Sequence, residues 1–251
     1  MGFDRSLWVE IFAKDEFPKF RCPKCAQGHL NIDEATLSIR EPNYSRTDAK
    51  HEDWEPHWMT ERFIGVLTCD RGNCGEVVTV SGDTTLVEDF DEEIGWGLLT
   101  VLRPQALFPA PPIIDRPKEM PVEVDRELIK SFQLFWIDLN ACANRLRVSV
   151  ERLLDHFQVP RETLSKKVNK SERLDLNGRI SIFEKQDADT AKTLTALRMI
   201  GNLGSHGDNV SRKVLLDAYE VYEDCLFEVF GKRKQRLEAI RQKIIQAKGK
   251  Y

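Results

Sequence analysis

Apolar residues follow two different rhythms along this chain. Up to Leu102 they fall in short, β-rich runs bounded by Gly, Asp and Pro. Phe63–Cys69, Glu76–Val80 and Leu98–Leu102 are the clearest, and they predict strands of a small antiparallel sheet. From Val122 onward the spacing becomes helical. Leu128, Ile129, Phe132, Phe135 and Trp136 mark a first helix, and Asp138 stands where the cap of a second is expected. That second helix carries Leu139, Cys142, Ala143, Leu146, Val150, Leu153, Leu154 and Phe157 on one stripe. A polar, basic stretch from Pro160 to Arg173 reads as a loop with one helical turn, and a short helix is expected around Arg179 to Lys185. A longer helix opens with an acidic first turn at Asp187 and Asp189 and places Ala191, Leu194, Leu197, Ile200 and Leu203 at helical spacing. Ser211 caps the next, whose stripe is Val214, Leu215, Ala218, Tyr222, Cys225, Leu226, Val229 and Phe230.

The change of rhythm implies an α+β chain: a small antiparallel β domain over 1–102, followed by an all-α helical bundle over 123–231. Between them, 103–122 forms a Pro-rich connector, with six of the chain's eleven prolines. Proline removes a backbone donor, so this stretch is expected to be extended and not a helix or a central strand. Its apolar members Leu107, Phe108, Ile113 and Ile114 suggest that it packs along one domain. After Gly231, residues 232–251 carry eight Lys and Arg against one acid and read as a basic amphipathic tail helix.

Charge sharpens this division. The net charge of −4 hides 13 basic against 24 acidic residues in 1–125, and 24 against 17 in 126–251. An acidic half and a basic half either attract each other or give the second half a face for nucleic acid. The run Asp89 to Glu93 is read as a solvated acidic loop. With no apolar stretch of about 18 residues and no basic-then-apolar N-terminus, a cytoplasmic protein without a membrane partner is expected.

In a reducing compartment, cysteine spacing is read for metal. Cys22-Pro-Lys-Cys25 and Cys69-Asp-Arg-Gly-Asn-Cys74 are two close pairs separated by 43 residues, with Pro and Gly permitting tight turns. Four thiolates complete a tetrahedral site, so Cys22, Cys25, Cys69 and Cys74 are the expected ligands of a structural Zn2+. His29, His51 and His57 read as surface or packing residues, and Cys142 and Cys225 as buried small hydrophobes.

The polar cluster Arg198-Met-Ile-Gly201-Asn202-Leu-Gly204-Ser205-His206-Gly207 interrupts a helical run. Residues four apart share a helix face, which pairs Asn202 with His206 and, on the second helix, Arg147 with Glu151; Arg145 lies on the same flank. Gly207 is placed to end the helix, and Gly201 and Gly204 allow close approach of another backbone. These motifs, with Ala141-Cys-Ala143-Asn144-Arg145-Leu-Arg147 and Asp217-Ala-Tyr219-Glu, resemble the domain-of-unknown-function family 4145 over about residues 100–230. The chain is also similar to the HEPN superfamily of helical bundles, many of which are dimeric, metal-independent ribonucleases.

The resemblance implies a HEPN-like bundle with an N-terminal pair of cysteine knuckles, a homodimer, and a link to bacterial restriction or anti-phage systems. The superfamily's Arg-Asn-x-x-x-His signature requires Arg at 201, where this chain has Gly201; Asn202 and His206 match. Arg198 is the nearest substitute, about 12 Å from His206 along a regular helix. A nucleic-acid-binding (RNA or DNA) or partner-binding module, degenerate in catalysis, is therefore expected, with Arg145, Arg147 and Glu151 as binding residues. The alternatives are an endoribonuclease using His206, Asn202 and Arg198 or a neighbouring Arg, and a scaffold for a partner protein.

Overall fold

The computed structural model describes residues 3–91, 95–164, 171–205, 209–231 and 233–249. The chain is α+β and divides into two compact units, Met1–Ile113 with Phe132–Asp138, and Ile114–Ser131 with Leu139–Tyr251.

The first unit is built on a four-stranded antiparallel sheet in the order β1 (Leu30–Arg40), β2 (Arg62–Cys69), β3 (Val77–Asp91) and β4 (Gly95–Phe108), with a short helix α1 (Asn43–Asp48) between β1 and β2. Alternation is cleanest in β2, where Phe63, Gly65, Leu67 and Cys69 point inward and the residues between them face out. The same unit holds an aromatic cluster of Trp8, Phe12, Phe17, Phe20, Phe135 and Trp136, with neighbouring ring centroids 5.0–6.3 Å apart. The apolar opening of the chain thus supplies core, and Phe12 also exchanges two 2.8 Å backbone hydrogen bonds with Leu102 of β4.

Several strand expectations are corrected. β1 was not expected: Asn31, Asp33 and Glu34 dilute its apolar alternation, and its register slips between Asp33 and Ser38. β4 does not stop at Leu102 but continues through Arg103–Phe108, inside the stretch read as connector. An edge strand tolerates a missing donor, and Pro104 sits opposite Gly82 where the β3–β4 register shifts. A Cβ on Gly82 would lie 2.2 Å from the Arg103 carbonyl oxygen, so only glycine fits there. The acidic run begins on β3, where Asp89 to Asp91 pair with Gly95 to Gly97; 92–94 lie outside the described residues. Beyond the strand, Ile113 and Ile114 are buried as expected, while Phe108 is exposed because it faces away from the sheet's inner side.

The second unit is helical: α2 (Val122–Leu134, its last turn counted with the first unit), α3 (Leu139–His156), α4 (Leu176–Phe183), α5 (Ala188–Ser205), α6 (Arg212–Phe230) and α7 (Arg233–Gln246). The α3 stripe is buried from Cys142 to Leu154, and Ser211 caps α6 by accepting a hydrogen bond from the Val214 amide. Tyr219 and Tyr222 of α6 are fully buried, and each hydroxyl finds a partner: Tyr219 donates to Ser131 at 2.9 Å, and Ser149 donates to Tyr222 at 3.0 Å. Cys142 and Cys225 are buried here, as the apolar stripe implied. The Pro160–Arg173 stretch differs from the expected loop and turn: Glu162–Leu164 and Ser171–Arg173 pair as a hairpin, β5 and β6, with 165–170 outside the described residues. On α5, Ala191, Leu194 and Leu197 are buried but Leu203 is 41 % exposed, because the inward position near the end of the helix is taken by Gly201.

Gly201 and Gly204 lie where α5 crosses α3. A Cβ on Gly201 would come within 2.5 Å of the Arg147 Cβ, and one on Gly204 within 2.5 Å of the Asn140 carbonyl oxygen. The two glycines let the helix backbones touch without interrupting α5, which runs unbroken from Ala188 to Ser205. Among the described residues no helix is long and apolar enough to cross a membrane.

Candidate functional site

Two concentrations of chemically capable side chains stand out, one in each unit. The first is assembled by the β1–β2 register. Cys22 and Cys25 lie in the turn that leads into β1, and Cys69 ends β2, where it pairs with Leu30. The 43 residues between the pairs are the β1–β2 hairpin, which returns the chain to the end of the sheet from which it left. Each cysteine turn closes on a left-handed residue, Ala26 at φ 52° and Gly75 at φ 57°. Their amides bond back to the carbonyls of Cys22 and Arg71 at 3.0 Å.

All four Sγ atoms lie within 4.8 Å of one another, with Cys22–Cys74 at 3.7 Å and Cys25–Cys69 at 3.8 Å. Zinc–sulfur bonds of about 2.3 Å in a tetrahedron put neighbouring sulfurs about 3.8 Å apart, so the donor set fits such a metal. The cradle is tight as well: a Cβ on Gly28 would fall 2.6 Å from the Cys69 Sγ, and the Gly28 amide donates to the Cys25 Sγ at 3.3 Å. Burial pushes the Cys22 thiol up to about 12, whereas the backbone amides of Gln27 and Gly28 hold Cys25 down at about 6. No disulfide links any of the six cysteines. Among the described residues this is the one cluster suited to a metal ion. The histidines do not join it: His57 pairs with Glu55 at 3.0 Å, His51 lies against Trp58, and the His29 amide donates to Asp70.

The second concentration is a cavity of about 380 Å³ in the helical unit, lined by α3, α4 and the hairpin. Its centre is Asp155, which no sequence pattern singled out. Arg179 reaches it at 2.8 Å, Arg152 at 3.2 Å, and Arg161 grips it through both Nε and a terminal nitrogen. Burial raises the Asp155 carboxyl, but the hydrogen bonds and charges of Arg161 and Arg179 outweigh this and hold it down at about 2. Arg179 is only 5 % exposed; it donates to the Val159 carbonyl at 3.0 Å, and its Nε is buried without a partner. A signal for it existed: Leu176, Arg179, Ile180 and Phe183 share one helix face, so an arginine stands in an apolar stripe.

Of the binding residues expected from sequence, Arg147 and Glu151 line this cavity and approach each other at 3.7 Å, as their spacing implied. Arg145 does not join them. Two positions along a helix turn a side chain by about 200°, and Arg145 instead meets Glu127 at 3.1 Å, beside Lys130 at 2.8 Å from the same carboxylate. Burial raises Glu127, and Lys130 and Arg145 together more than reverse it, holding it below the usual range. Arg198 and Asn202 are half-buried on α5, and the Arg198 Nε is buried without a hydrogen bond. His206 lies outside the described residues, as does Gly207.

Residues 130–248 match a family model described as a domain of unknown function (DUF4145), and residues 10–97 match a second (DUF8608). The first agrees with the family whose motifs the helical half resembles, though it starts beyond the connector and takes in the tail. The second covers the cysteine region and most of the sheet. No curated protein and no solved structure matches the chain.

Proposed function

We propose that this chain is a zinc-stabilised nucleic-acid-binding protein whose helical unit is a HEPN-like bundle degenerate in catalysis. The observation that carries it is the arginine cavity. Five arginines, Arg147, Arg152, Arg161, Arg173 and Arg179, line it with three carboxylates, which leaves surplus positive charge on a concave, partly desolvated surface. Guanidinium groups present planar, bidentate donors to phosphate, and low local dielectric strengthens the attraction. The four cysteines hold Zn2+ as a structural ion, with no open position for chemistry. Loss of catalysis is favoured by Gly201: an arginine there has no room, because the Arg147 Cβ occupies the space a side chain needs.

Titration of the purified protein with mixed RNA and DNA at about 50 and 200 mM salt tests this. Binding that weakens more than about tenfold over that range is expected from several released counterions. Incubation with RNA, repeated with His206→Ala, carries the opposing outcome: cleavage lost in the variant establishes an endoribonuclease instead.

A second reading is favoured by the β3–β4 ribbon. Phe90 and Trp96 are 56 % and 75 % exposed, 5.5 Å apart, beside Glu88 and Asp89. An exposed aromatic pair with acidic neighbours suits a basic partner protein, and Trp96→Ala abolishing capture of that partner while sparing nucleic-acid binding would separate the two roles.

A further inference from the structure

Charge balance within the arginine cavity is uneven in an informative way. Arg147 and Glu151 pair with each other, and Asp175 is spent on the α4 N-terminus, where it accepts the Gly178 amide at 2.7 Å. One carboxylate, Asp155, serves three guanidiniums. Arg173 on β6 is exposed at the rim and makes no ion pair among the described residues. The buried Nε of Arg179 and that of Arg147 both lack acceptors. Counting all five arginines against three carboxylates, the cavity carries two positive charges in excess.

We infer that this cavity takes a phosphate monoester, the terminal phosphate of a nucleic-acid strand, in preference to an internal phosphodiester. A monoester carries about −1.5 to −2 at neutral pH and three acceptor oxygens, against one charge for a diester. It matches the excess charge and the exposed Arg173 guanidinium. Size is compatible with this: the cavity of about 380 Å³, with Arg179 nearly fully buried at its wall, has room for an end group. Leu174 and Leu176 supply the apolar wall on which the attached sugar rests. This inference depends on the nucleic-acid reading above, and its test separates the two.

Fluorescence anisotropy on the full chain would compare one internally labelled 12-mer in three forms: 5′-phosphorylated, 3′-phosphorylated and hydroxyl at both ends. Binding of at least one phosphorylated form about tenfold or more tighter than the hydroxyl form is expected. Arg173→Glu, at an exposed position that leaves the fold intact, is expected to erase that difference while weaker binding persists. Competition by a nucleoside 5′-monophosphate at concentrations where inorganic phosphate is inert would name a free nucleotide as the source of the same chemistry. Equal binding of all three forms overturns terminal recognition and leaves nucleic-acid binding standing; no binding of any form overturns both.

Discussion

The cysteine cluster and the arginine cavity are both polar assemblies inside otherwise apolar units, yet they are built by opposite routes. The cysteines come from two tight turns joined by one hairpin, so their positions follow from short spacings and a single strand register. Around Asp155, side chains arrive from the middle and end of α3, the following hairpin and α4, and Arg179, an arginine in an apolar stripe, is the one that stands out in its own segment. A tetrahedral set of four thiols suited to a metal tolerates little variation in ligand type. An ion-pair cluster is defined by what happens to converge, and its energy depends on every partner being present.

That contrast can be broken most forcefully at the cysteines. Cys69→Ser, or a strong chelator at neutral pH, should abolish the cooperative unfolding transition of the sheet, a loss of more than about 4 kcal/mol given the strength of structural zinc sites. Metal analysis should return one zinc per chain; none bound, with the sheet unaffected by chelator, would remove the metal from the account. At the arginine cavity a smaller loss is expected. Arg179→Ala leaves Asp155 short of its most buried partner and opens a void, and about 3 kcal/mol should disappear from urea unfolding of the helical unit. Arg179→Met, which refills the volume, should lose clearly less.

Acid tests the same carboxylate without a change of partner. The folded value for Asp155, about 2, lies below its ordinary value of 3.8. Its contribution is therefore intact above about pH 4 and is lost as pH falls from there through about 2, by about 2 kcal/mol in all. Asp155→Asn should flatten that part of the stability profile, and an unchanged profile would show that the arginines do not act through this group. The smallest effect is expected at the crossing of α3 and α5. Gly201→Ala brings a methyl within 2.5 Å of the Arg147 Cβ. Overpacking of this kind costs about 1–3 kcal/mol, offset in part by about 1 kcal/mol of helix propensity. A net loss of about 1 kcal/mol in thermal unfolding is the outcome to look for, and stabilisation would mean that the helices can part.

Much of the helical unit was legible because burial imposes a period on the sequence: the α3 stripe, the Ser211 cap and the buried Cys142 and Cys225 all follow from spacing. The sheet was harder to read. β1 has too many polar residues to announce itself, and Pro104 in β4 argues for a connector unless the strand is known to lie at an edge. Arg145 and Arg147 look equivalent in the sequence and are not, since two steps along a helix send them to different carboxylates.

Local pattern alone was enough for the α+β class, the spacing of the four cysteines and most of the helix faces, because each rests on residues close together in the chain or on a regular period. Only the tertiary structure decided that Gly201 and Gly204 serve a helix crossing, and that Arg179, Arg161 and Arg152 converge on Asp155. The physical reason is one of range. Backbone propensity and metal-ligand spacing act over a few residues, whereas close backbone approach and shared charges depend on which surfaces packing brings together, and no local pattern encodes that.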